Sequence, residues 1–313
     1  MRVPDGYDLR APRPDELDAV AAVLAAADRN DAGEPALDAD FLRDAWSRPG
    51  FVLARDAWVA VDGEGSIAGY AEAALEEPDL VESWGAVHPD HRGRGIGSAL
   101  LDRIESRAAE MLAGVPAPRF RHAIGGGDEA AAAMLRARGL RAVRTFWHMR
   151  IDLTGPIHPG AAPDGIELRA VRPDRDLPAV HAVLEDAFAD DRGYHPTELE
   201  RWIDEHVRSP SHDPTLWLLA EERGRPVGAL TAAQGPSRGW VHELGVRRTH
   251  RGRGIGTALL RHAFAGFARR GLRTVLLNVD AENPTGATAL YERVGMRVTW
   301  WWELWERSPG GRG

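Results

Sequence analysis

The strongest constraint on the fold of this chain is a seven-residue sequence that occurs twice. The heptapeptide His-Arg-Gly-Arg-Gly-Ile-Gly spans residues 91–97 and recurs without change at residues 250–256. The same offset of 159 residues aligns Trp58 with Trp217. Identities that stay collinear over so long a stretch indicate that a whole domain has been duplicated.

The length and one short segment predict where the two copies meet. A chain of 313 residues is long enough for two domains. Residues 153–165 are rich in Pro and Gly and carry no apolar periodicity, which is typical of a linker. We therefore predict an N-terminal domain over residues 1–154, a linker over residues 155–165 and a C-terminal domain over residues 166–313.

Both halves predict the same order of elements. For the first half we expect, in order, a strand at 7–10, a helix after Pro14-Asp15, a helix at 37–47, strands at 58–62, 66–74 and 81–87, and a helix at 97–112. The matching elements of the second half are expected at 166–170, after Pro173-Asp174, and at 197–208, 217–221, 226–233, 240–246 and 256–270. A strand at 274–279, a helix at 285–294 and a strand at 296–305 follow. This order predicts the α/β class, with a mixed and mostly antiparallel sheet flanked by helices.

Composition excludes several classes of function. The chain has no cysteine, which rules out disulfides, cysteine-ligated zinc and a covalent enzyme thioester, and we predict no metal site. A net charge of −8 argues against non-specific binding to nucleic acid. The longest apolar run near the start, residues 19–27, is too short to span a membrane and lacks the flanks of a signal peptide. We therefore expect a cytoplasmic protein.

Each heptapeptide lies between a predicted strand and a predicted helix. Its glycines allow positive φ angles and let the backbone approach a ligand closely. Successive free N–H groups at the start of a helix bind anions, helped by the helix dipole. The spacing Arg-x-x-Gly-x-Gly differs from the dinucleotide fingerprint, which requires G-x-G-x-x-G and a later acidic residue. A phosphate-binding loop is favoured over a glycine-rich turn that binds nothing.

These residues resemble a known family. Arg-x-x-Gly-x-Gly after a strand ending in Val is similar to the acyl-CoA diphosphate motif of the GNAT superfamily of N-acetyltransferases, and the resemblance covers both halves. The second half also has Asn283 before a helix that carries Tyr291 and ends at Gly295, as in the closing motif of that family. One extra residue separates Asn283 from Tyr291 compared with the commonest spacing. The resemblance implies two tandem GNAT domains with acetyl-CoA as cosubstrate.

The resemblance also implies which residues contact the coenzyme. The pantetheine arm would enter where the strands at 240–246 and 274–279 part, and the diphosphate would lie on the loop amides. The implied contacts of the second half are Leu244, Val246, Arg251, Gly252, Arg253, Gly254, Gly256, Thr257 and Asn283. The matching positions of the first half are Gly85, Val87, Arg92, Gly93, Arg94, Gly95, Gly97 and Ser98.

Aminolysis of a thioester needs a base and an acid. An amine with a pKa near ~10.4 is neutral in only about one molecule in 2,500 at pH 7, so a general base helps, and the departing thiolate gains from a proton donor. Tyr291 is the predicted donor, and Glu243 is the predicted base. The alternative roles are a core tyrosine and a solvated strand carboxylate. Other bases remain open: Glu82, His195 and Asp280.

The first half lacks both groups. Leu135 stands at the position that matches Tyr291, and Trp84 at the position that matches Glu243. Neither side chain can move a proton. We therefore predict that the first half keeps the coenzyme loop and that the second half contains the working active site.

The predicted reaction is acetyl transfer from acetyl-CoA to a primary amine of a small molecule, by direct attack in a ternary complex. One alternative is a member of the mycothiol synthase family, whose tandem architecture is similar and whose acceptor is the amine of a cysteinyl pseudodisaccharide. Another is a non-catalytic acyl-CoA sensor. The duplication predicts either a monomer with an internal pseudo-dimer or a homodimer, with no nucleic-acid or membrane partner.

Overall fold

The computed structural model describes residues 3–33, 39–191, 194–207, 213–235, 237–283 and 285–307. The elements of the first half are β1 (Tyr7–Arg10), α1 (Leu17–Ala32), α2 (Ala39–Trp46), α3 (Leu53–Asp56), β2 (Ala57–Asp62), β3 (Ile67–Glu77), β4 (Leu80–Val87), α4 (Ile96–Met111), β5 (Arg119–Gly125), α5 (Glu129–Ala137) and β6 (Arg141–Asp152). Those of the second half are β7 (Ile166–Ala170), α6 (Pro173–Phe188), α7 (Leu199–His206), β8 (Leu218–Glu222), β9 (Arg225–Gln234), β10 (Gly239–Val246), α8 (Ile255–Arg269), β11 (Thr274–Asp280), α9 (Ala287–Arg293) and β12 (Arg297–Arg307).

The chain packs as two compact units, and each includes one strand from the other half of the sequence. The first unit comprises the described residues up to Thr145 together with those from Trp300 onward, and the second is Phe146–Thr299. This exchange occurs because β12 finds its antiparallel partner in β5, whereas β6 finds its partner in β11. Packing therefore divides the chain differently from the duplicated sequence, for which the ranges 1–154 and 166–313 stay a prediction.

In the first unit the strands lie in the order β1-β2-β3-β4-β5-β12. Neighbours run antiparallel except β4 and β5, which are parallel. A parallel pair needs a long crossover, and the connection through α4 supplies it. The core on one side of this sheet is built around α4, and a second cluster packs around α1.

The second unit repeats this arrangement with the order β6-β11-β10-β9-β8-β7. Its neighbours are also antiparallel except for one parallel pair, β10 and β11, which α8 connects. The predicted α/β class with a mixed, mostly antiparallel sheet is confirmed in both units. The parallel pair matters most, because ligand sites in such sheets form where neighbouring strands part at their carboxyl ends.

Helices α4 and α8 form because their apolar residues recur every four positions and face the sheet. Their buried faces include Leu100, Ile104 and Ala108 in α4, and the aligned Leu259, Ala263 and Phe267 in α8. A buried leucine contributes about 1.5–3 kcal/mol to folding, so Leu259→Ala is expected to cost roughly 2–5 kcal/mol. These packed helices hold the loops that precede them.

The structure adds elements to the first half and shows how the segment between the halves is held. The elements predicted for the first half stop at residue 112, whereas the structure continues with β5 and α5, which correspond to β11 and α9 of the second half. The residues between β6 and β7 form no helix or strand, yet Leu153 is buried and donates from its N–H to the carbonyl of Arg273. In the described part of the chain, every helix is too short or too polar to cross a membrane.

Candidate active site

The loop after β10 presents backbone amides at the start of α8. Gly252 and Gly254 have φ angles of 76° and 81°, which the left-handed region allows to glycine with little strain. Gly254 is the N-cap, and helical hydrogen bonding begins with Ala258 N donating to Gly254 O at 3.0 Å. The amides of residues 255–257 therefore have no acceptor within the helix. Together with the helix dipole they form a site suited to a diphosphate.

The surface above this loop is open where a ligand would approach. A Cβ placed on Gly252 would meet nothing within 4 Å, whereas one on Gly256 would lie 3.0 Å from Leu290 of α9. The Leu244 and Val246 side chains also lie near Gly256, each with an atom 3.9 Å from a Cβ placed on it. Gly256 thus allows α8 and α9 to pack closely. Gly252 adopts the positive φ that the turn needs and leaves the space above the loop open to a ligand.

The side chains of the two loop arginines form hydrogen bonds with other groups of the protein. Arg251 donates to the carbonyl of Ala187 at 2.6 Å and to that of Val246 at 3.3 Å. Arg253 donates to Glu222 at 2.7 Å. In this arrangement the backbone amides are the groups available to bind a phosphate.

Strands β10 and β11 part early. Their parallel pairing covers only Gly239 with Val275 and Trp240 with Leu276. From there to Val246, β10 stays paired with β9 on its other edge, so a gap opens on the β11 side. This gap matches the expected entry of a pantetheine arm.

A β-bulge lies where the gap begins. Val241 pairs with Ala232 and Glu243 pairs with Thr231, so His242 is the extra, exposed residue. The bulge interrupts the strict alternation of the strand, so Val241 and Glu243 lie on opposite faces of the sheet although they are two residues apart. Bulges re-aim side chains near functional sites, and here the residue after the bulge is Glu243.

Tyr291 lies on α9 and is 8% exposed. Burial raises the pKa of its phenol, and the carboxylate of Asp191 raises it further, so the group stays protonated at neutral pH. Among the residues that the structure describes, its hydroxyl has no hydrogen-bond partner. A protonated, uncommitted hydroxyl is what donation to a leaving group requires.

Asn283 shapes the turn that leads into α9. Its Oδ1 accepts from the backbone N–H of Thr285 at 2.9 Å and from the Thr285 hydroxyl. Its Nδ2 lies 3.5 Å from Asp191. The side-chain oxygen of Asn283 is thus engaged in local structure.

Glu243 is half-buried on the opposite side of the sheet from α8. Its Oε2 accepts a hydrogen bond of 3.1 Å from the Thr231 hydroxyl and lies 3.7 Å from Nε2 of His206. Burial raises the pKa of Glu243, against the influence of His206, Thr231 and Trp202, which lower it. A carboxylate with a raised pKa is a better proton acceptor near neutral pH.

Helices α6 and α7 cover this carboxylate with groups that the sequence analysis missed. The Trp202 ring stacks on His206 with centroids 5.0 Å apart and meets Trp217 edge-on at 5.6 Å. His181 Nε2 lies 2.7 Å from the carbonyl of Thr197. The spacing of four between Trp202 and His206 on a predicted helix was a usable signal, because it places both on one face.

The other candidate bases serve different purposes. Glu82 pairs with Arg121 at 3.0 Å in the first unit. Asp280 closes the turn after β11, where its Oδ1 accepts from Glu282 N at 2.8 Å. His195 is exposed in the segment between α6 and α7. The geometry favours Glu243.

The first unit repeats the loop closely. Gly93 and Gly95 have φ angles of 73° and 87°, and Ala99 N donates to Gly95 O at 3.1 Å. Arg92 forms two hydrogen bonds of 2.7 Å to Asp31, so this arginine also supports the loop. The amide site is therefore present in both units.

The rest of the first unit differs from the second unit around this loop. Its parallel strands stay paired up to Trp84, the position aligned with Glu243, so the gap is shallower by three residues. Trp84, Tyr70 and Phe41 form a chain of ring contacts of 5.5 Å and 6.0 Å where the second unit has Glu243 and α7. Leu135 is fully buried in the core. Leu135 and Trp84 thus occupy the positions that match Tyr291 and Glu243.

Comparison with known protein families identifies both halves. Residues 177–296 match the model described as "Acetyltransferase (GNAT) family", and residues 54–137 match "Acetyltransferase (GNAT) domain". Both matches include the Gly-rich loops.

Similar proteins extend over most of the chain. A mycothiol acetyltransferase of Streptomyces coelicolor is 34% identical over 292 residues, covering 90% of this chain and 88% of that protein. One of Cellulomonas flavigena is 35% identical over 263 residues, covering 78% and 72%. A solved GCN5-related N-acetyltransferase from Sphaerobacter thermophilus is 34% identical with a TM-score of 0.84, covering 98% of this chain and 97% of that one. A tandem GNAT protein from the clavulanic acid biosynthesis pathway shares the fold, with 20% identity, a TM-score of 0.72, and coverage of 98% and 100%.

Proposed function

The chain belongs to the GNAT family of acetyltransferases, and on that premise we propose that its second unit is the working site, where an acetyl group passes from acetyl-CoA to the primary amine of a small molecule. The observation that carries this proposal is the parting of β10 and β11 after Trp240. Glu243 lies on the first of these strands, and the helix with Tyr291 follows the second. In the first unit the parallel strands stay paired for three residues more, and Trp84 and Leu135 occupy the positions of Glu243 and Tyr291.

The residues divide the reaction between them. The amides at the start of α8 bind the diphosphate, and Leu244 and Val246 border the gap that receives the pantetheine arm. Glu243 removes a proton from the acceptor ammonium, and the neutral nitrogen attacks the thioester carbonyl. The carbon–sulfur bond then breaks, and Tyr291 donates its proton to the departing thiolate. The attached nitrogen loses its second proton, which restores the Tyr291 hydroxyl. The products are an amide and free coenzyme A, and no covalent enzyme intermediate is needed.

The acceptor face of the second unit suits a cation. This face is the side of β10 covered by α6 and α7, where Trp202 also packs. Burial raises the pKa of the Tyr194 phenol there, and Glu185 and Glu243 both lie close enough to raise it further. A carboxylate pair beside an aromatic face attracts an ammonium group. Because relatives at 34–35% identity are mycothiol acetyltransferases, we propose the amine of a cysteinyl pseudodisaccharide as the acceptor.

The first unit is proposed to bind acetyl-CoA through residues Gly93 to Ser98 without turning it over. Its amide site is intact, while its acceptor face is filled by Tyr70 and Trp84. The oligomeric state stays a prediction, which size-exclusion chromatography with light scattering tests.

The test of the activity is an acetylation assay followed by mass spectrometry. The protein is mixed with acetyl-CoA and either the cysteinyl pseudodisaccharide or a panel of other primary amines. Because that acceptor carries both an amine and a thiol, hydroxylamine treatment distinguishes a stable amide from a labile thioester. Saturable amide formation with the pseudodisaccharide supports the proposal, and preference for another amine overturns the acceptor. Acetyl-CoA binding with no turnover of any amine indicates a sensor instead.

A further inference from the structure

His206 is held in one defined tautomer when it is neutral. It is the last residue of α7, and its Nδ1 lies 3.0 Å from the backbone carbonyl of Trp202, one helical turn earlier. A carbonyl oxygen can only accept, so Nδ1 carries the hydrogen of this bond. The other ring nitrogen, Nε2, therefore has only a lone pair in the neutral ring.

That lone pair faces an acceptor. Nε2 of His206 lies 3.7 Å from Oε2 of Glu243. Two acceptors oriented toward each other repel unless one of them carries a proton. Stacking on Trp202, with 21° between the rings, fixes the plane of the imidazole, so it cannot turn away without losing that contact. At 3.7 Å the two atoms are too far apart for a hydrogen bond but close enough for an ion pair, which forms when His206 carries the proton and Glu243 does not.

Most other polar groups around Glu243 have partners, whereas the buried indole N–H of Trp202 has none within hydrogen-bond distance among the described residues. The Thr231 hydroxyl donates to Oε2 of Glu243. His181 bonds to the carbonyl of Thr197 through Nε2 and lies 3.6 Å from Glu185, to which Tyr194 also bonds. Among the side chains that the structure describes, His206 is the titratable group whose ring nitrogen faces Glu243 within 4 Å.

We propose that His206 is a positioning residue that shares a proton with Glu243 and relays the proton of the acceptor ammonium to solvent. The ammonium gives its proton to the Glu243 carboxylate, the proton passes to Nε2 of neutral His206, and the imidazolium releases it to water. The His206 side chain is 28% exposed and that of Glu243 is 20% exposed, so the relay leads outward. This inference rests on the proposed role of Glu243 as the base.

The test compares His206→Gln with His262→Gln. His262 makes the same type of contact, with its Nδ1 2.9 Å from the carbonyl four residues earlier, but it lies on α8. We measure kcat/KM for acetyl transfer from about pH 5 to about pH 9, with acetyl-CoA affinity and circular dichroism as controls of folding. His206→Gln is expected to lose about tenfold or more of kcat/KM at neutral pH. Its ascending limb is expected to move to higher pH, because the positive charge of the His206 imidazolium, which lowers the pKa of Glu243, is gone.

The outcomes separate the relay from the activity. A wild-type protein that transfers acetyl groups while His206→Gln keeps its rate and pH profile overturns the relay alone, whereas an inactive wild-type protein overturns the proposed function. A second readout does not depend on the variant folding. Two-bond proton–nitrogen NMR spectra of the wild-type protein should show the neutral His206 ring with its hydrogen on Nδ1, and a hydrogen on Nε2 instead contradicts the proposal.

Discussion

Thr231 and Glu243 are register partners on neighbouring strands, and the Thr231 hydroxyl donates to the Glu243 carboxylate at 3.1 Å. The aligned partners in the first unit are Glu72 and Trp84. Each unit thus keeps one acid in this pair, but on different strands. Glu72 is fully buried, pairs with Arg48 and is covered by aromatic rings, whereas Glu243 faces α7 and retains some exposure. The same cross-strand position has become a packed core in one unit and a candidate base in the other.

Activity is expected to depend on the protonation of Glu243. Burial raises the pKa of this carboxyl, and a base works only when deprotonated, so kcat/KM should fall as the pH is lowered through that pKa. Glu243→Gln should lower kcat/KM by about 10²-fold or more and abolish this limb. Initial rates across the pH range measure both effects, with Glu167→Gln, an exposed change on β7, as the matched control. If the acidic limb of the kcat/KM profile is unchanged in Glu243→Gln, another residue is the base.

Removal of the Tyr291 hydroxyl should affect chemistry more than binding. Tyr291→Phe keeps the buried ring and removes only the proton donor, so kcat is expected to fall by about 10²-fold while acetyl-CoA affinity stays unchanged. Steady-state kinetics and calorimetric titration separate these quantities. Tyr7→Phe in the first unit serves as the control and should retain wild-type turnover. Equal rates for Tyr291→Phe and wild type would show that another group protonates the thiolate.

The repeated loop offers a matched pair of substitutions. Gly254 and Gly95 are both N-caps with positive φ, so aspartate at either position strains the backbone similarly, by about 1 kcal/mol, and adds a negative charge beside the diphosphate site. Gly254→Asp is expected to abolish turnover, whereas Gly95→Asp should leave most of it. Acetylation rates of the two purified variants show which unit catalyses the transfer. If Gly95→Asp abolishes turnover and Gly254→Asp leaves it, catalysis occurs in the first unit.

Part of this account could be predicted from the sequence. The repeated heptapeptide is local, so its glycines and its place between a strand and a helix were readable from residue types alone. The aligned losses at Leu135 and Trp84 were also visible, because they need only the offset between copies. Glu243 followed from the strand that enters the loop.

Other features depend on tertiary packing that no local pattern encodes. Strand β6 pairs with β11 and strand β12 pairs with β5, which places each of them in the unit of the other half. The bulge at His242 depends on the register of β10 with β9. The contact of His206 with Glu243 joins residues 37 positions apart through the packing of α7. The partners of the loop arginines, such as Ala187 for Arg251, lie far away in the sequence and could not be read from the loop itself.

Acid stability should depend on the carboxylate that ties β7 to α6. Hydrogen bonds from Arg169 and from the backbone of Arg172 lower the pKa of Asp176 to about 2. Its contribution is therefore present above its unfolded pKa of about 3.9 and is lost as the pH falls through about 2.

Asp176→Asn should consequently lower the free energy of unfolding at neutral pH by about 1 kcal/mol, since solvent screening reduces the effect of such a pair. The difference from wild type should vanish near pH 2. Urea unfolding at several pH values measures it, and Asp174→Asn, exposed on the same helix, should behave as wild type. A difference that persists unchanged in acid would contradict the assignment to this ion pair.

The most direct measurement is a crystal structure of the protein with acetyl-CoA bound. We expect the diphosphate on the amides at the start of α8, the pantetheine arm between β10 and β11, and the thioester sulfur within hydrogen-bonding distance of the Tyr291 hydroxyl. A coenzyme bound only in the first unit, or a Tyr291 hydroxyl that points away from the sulfur, would contradict it.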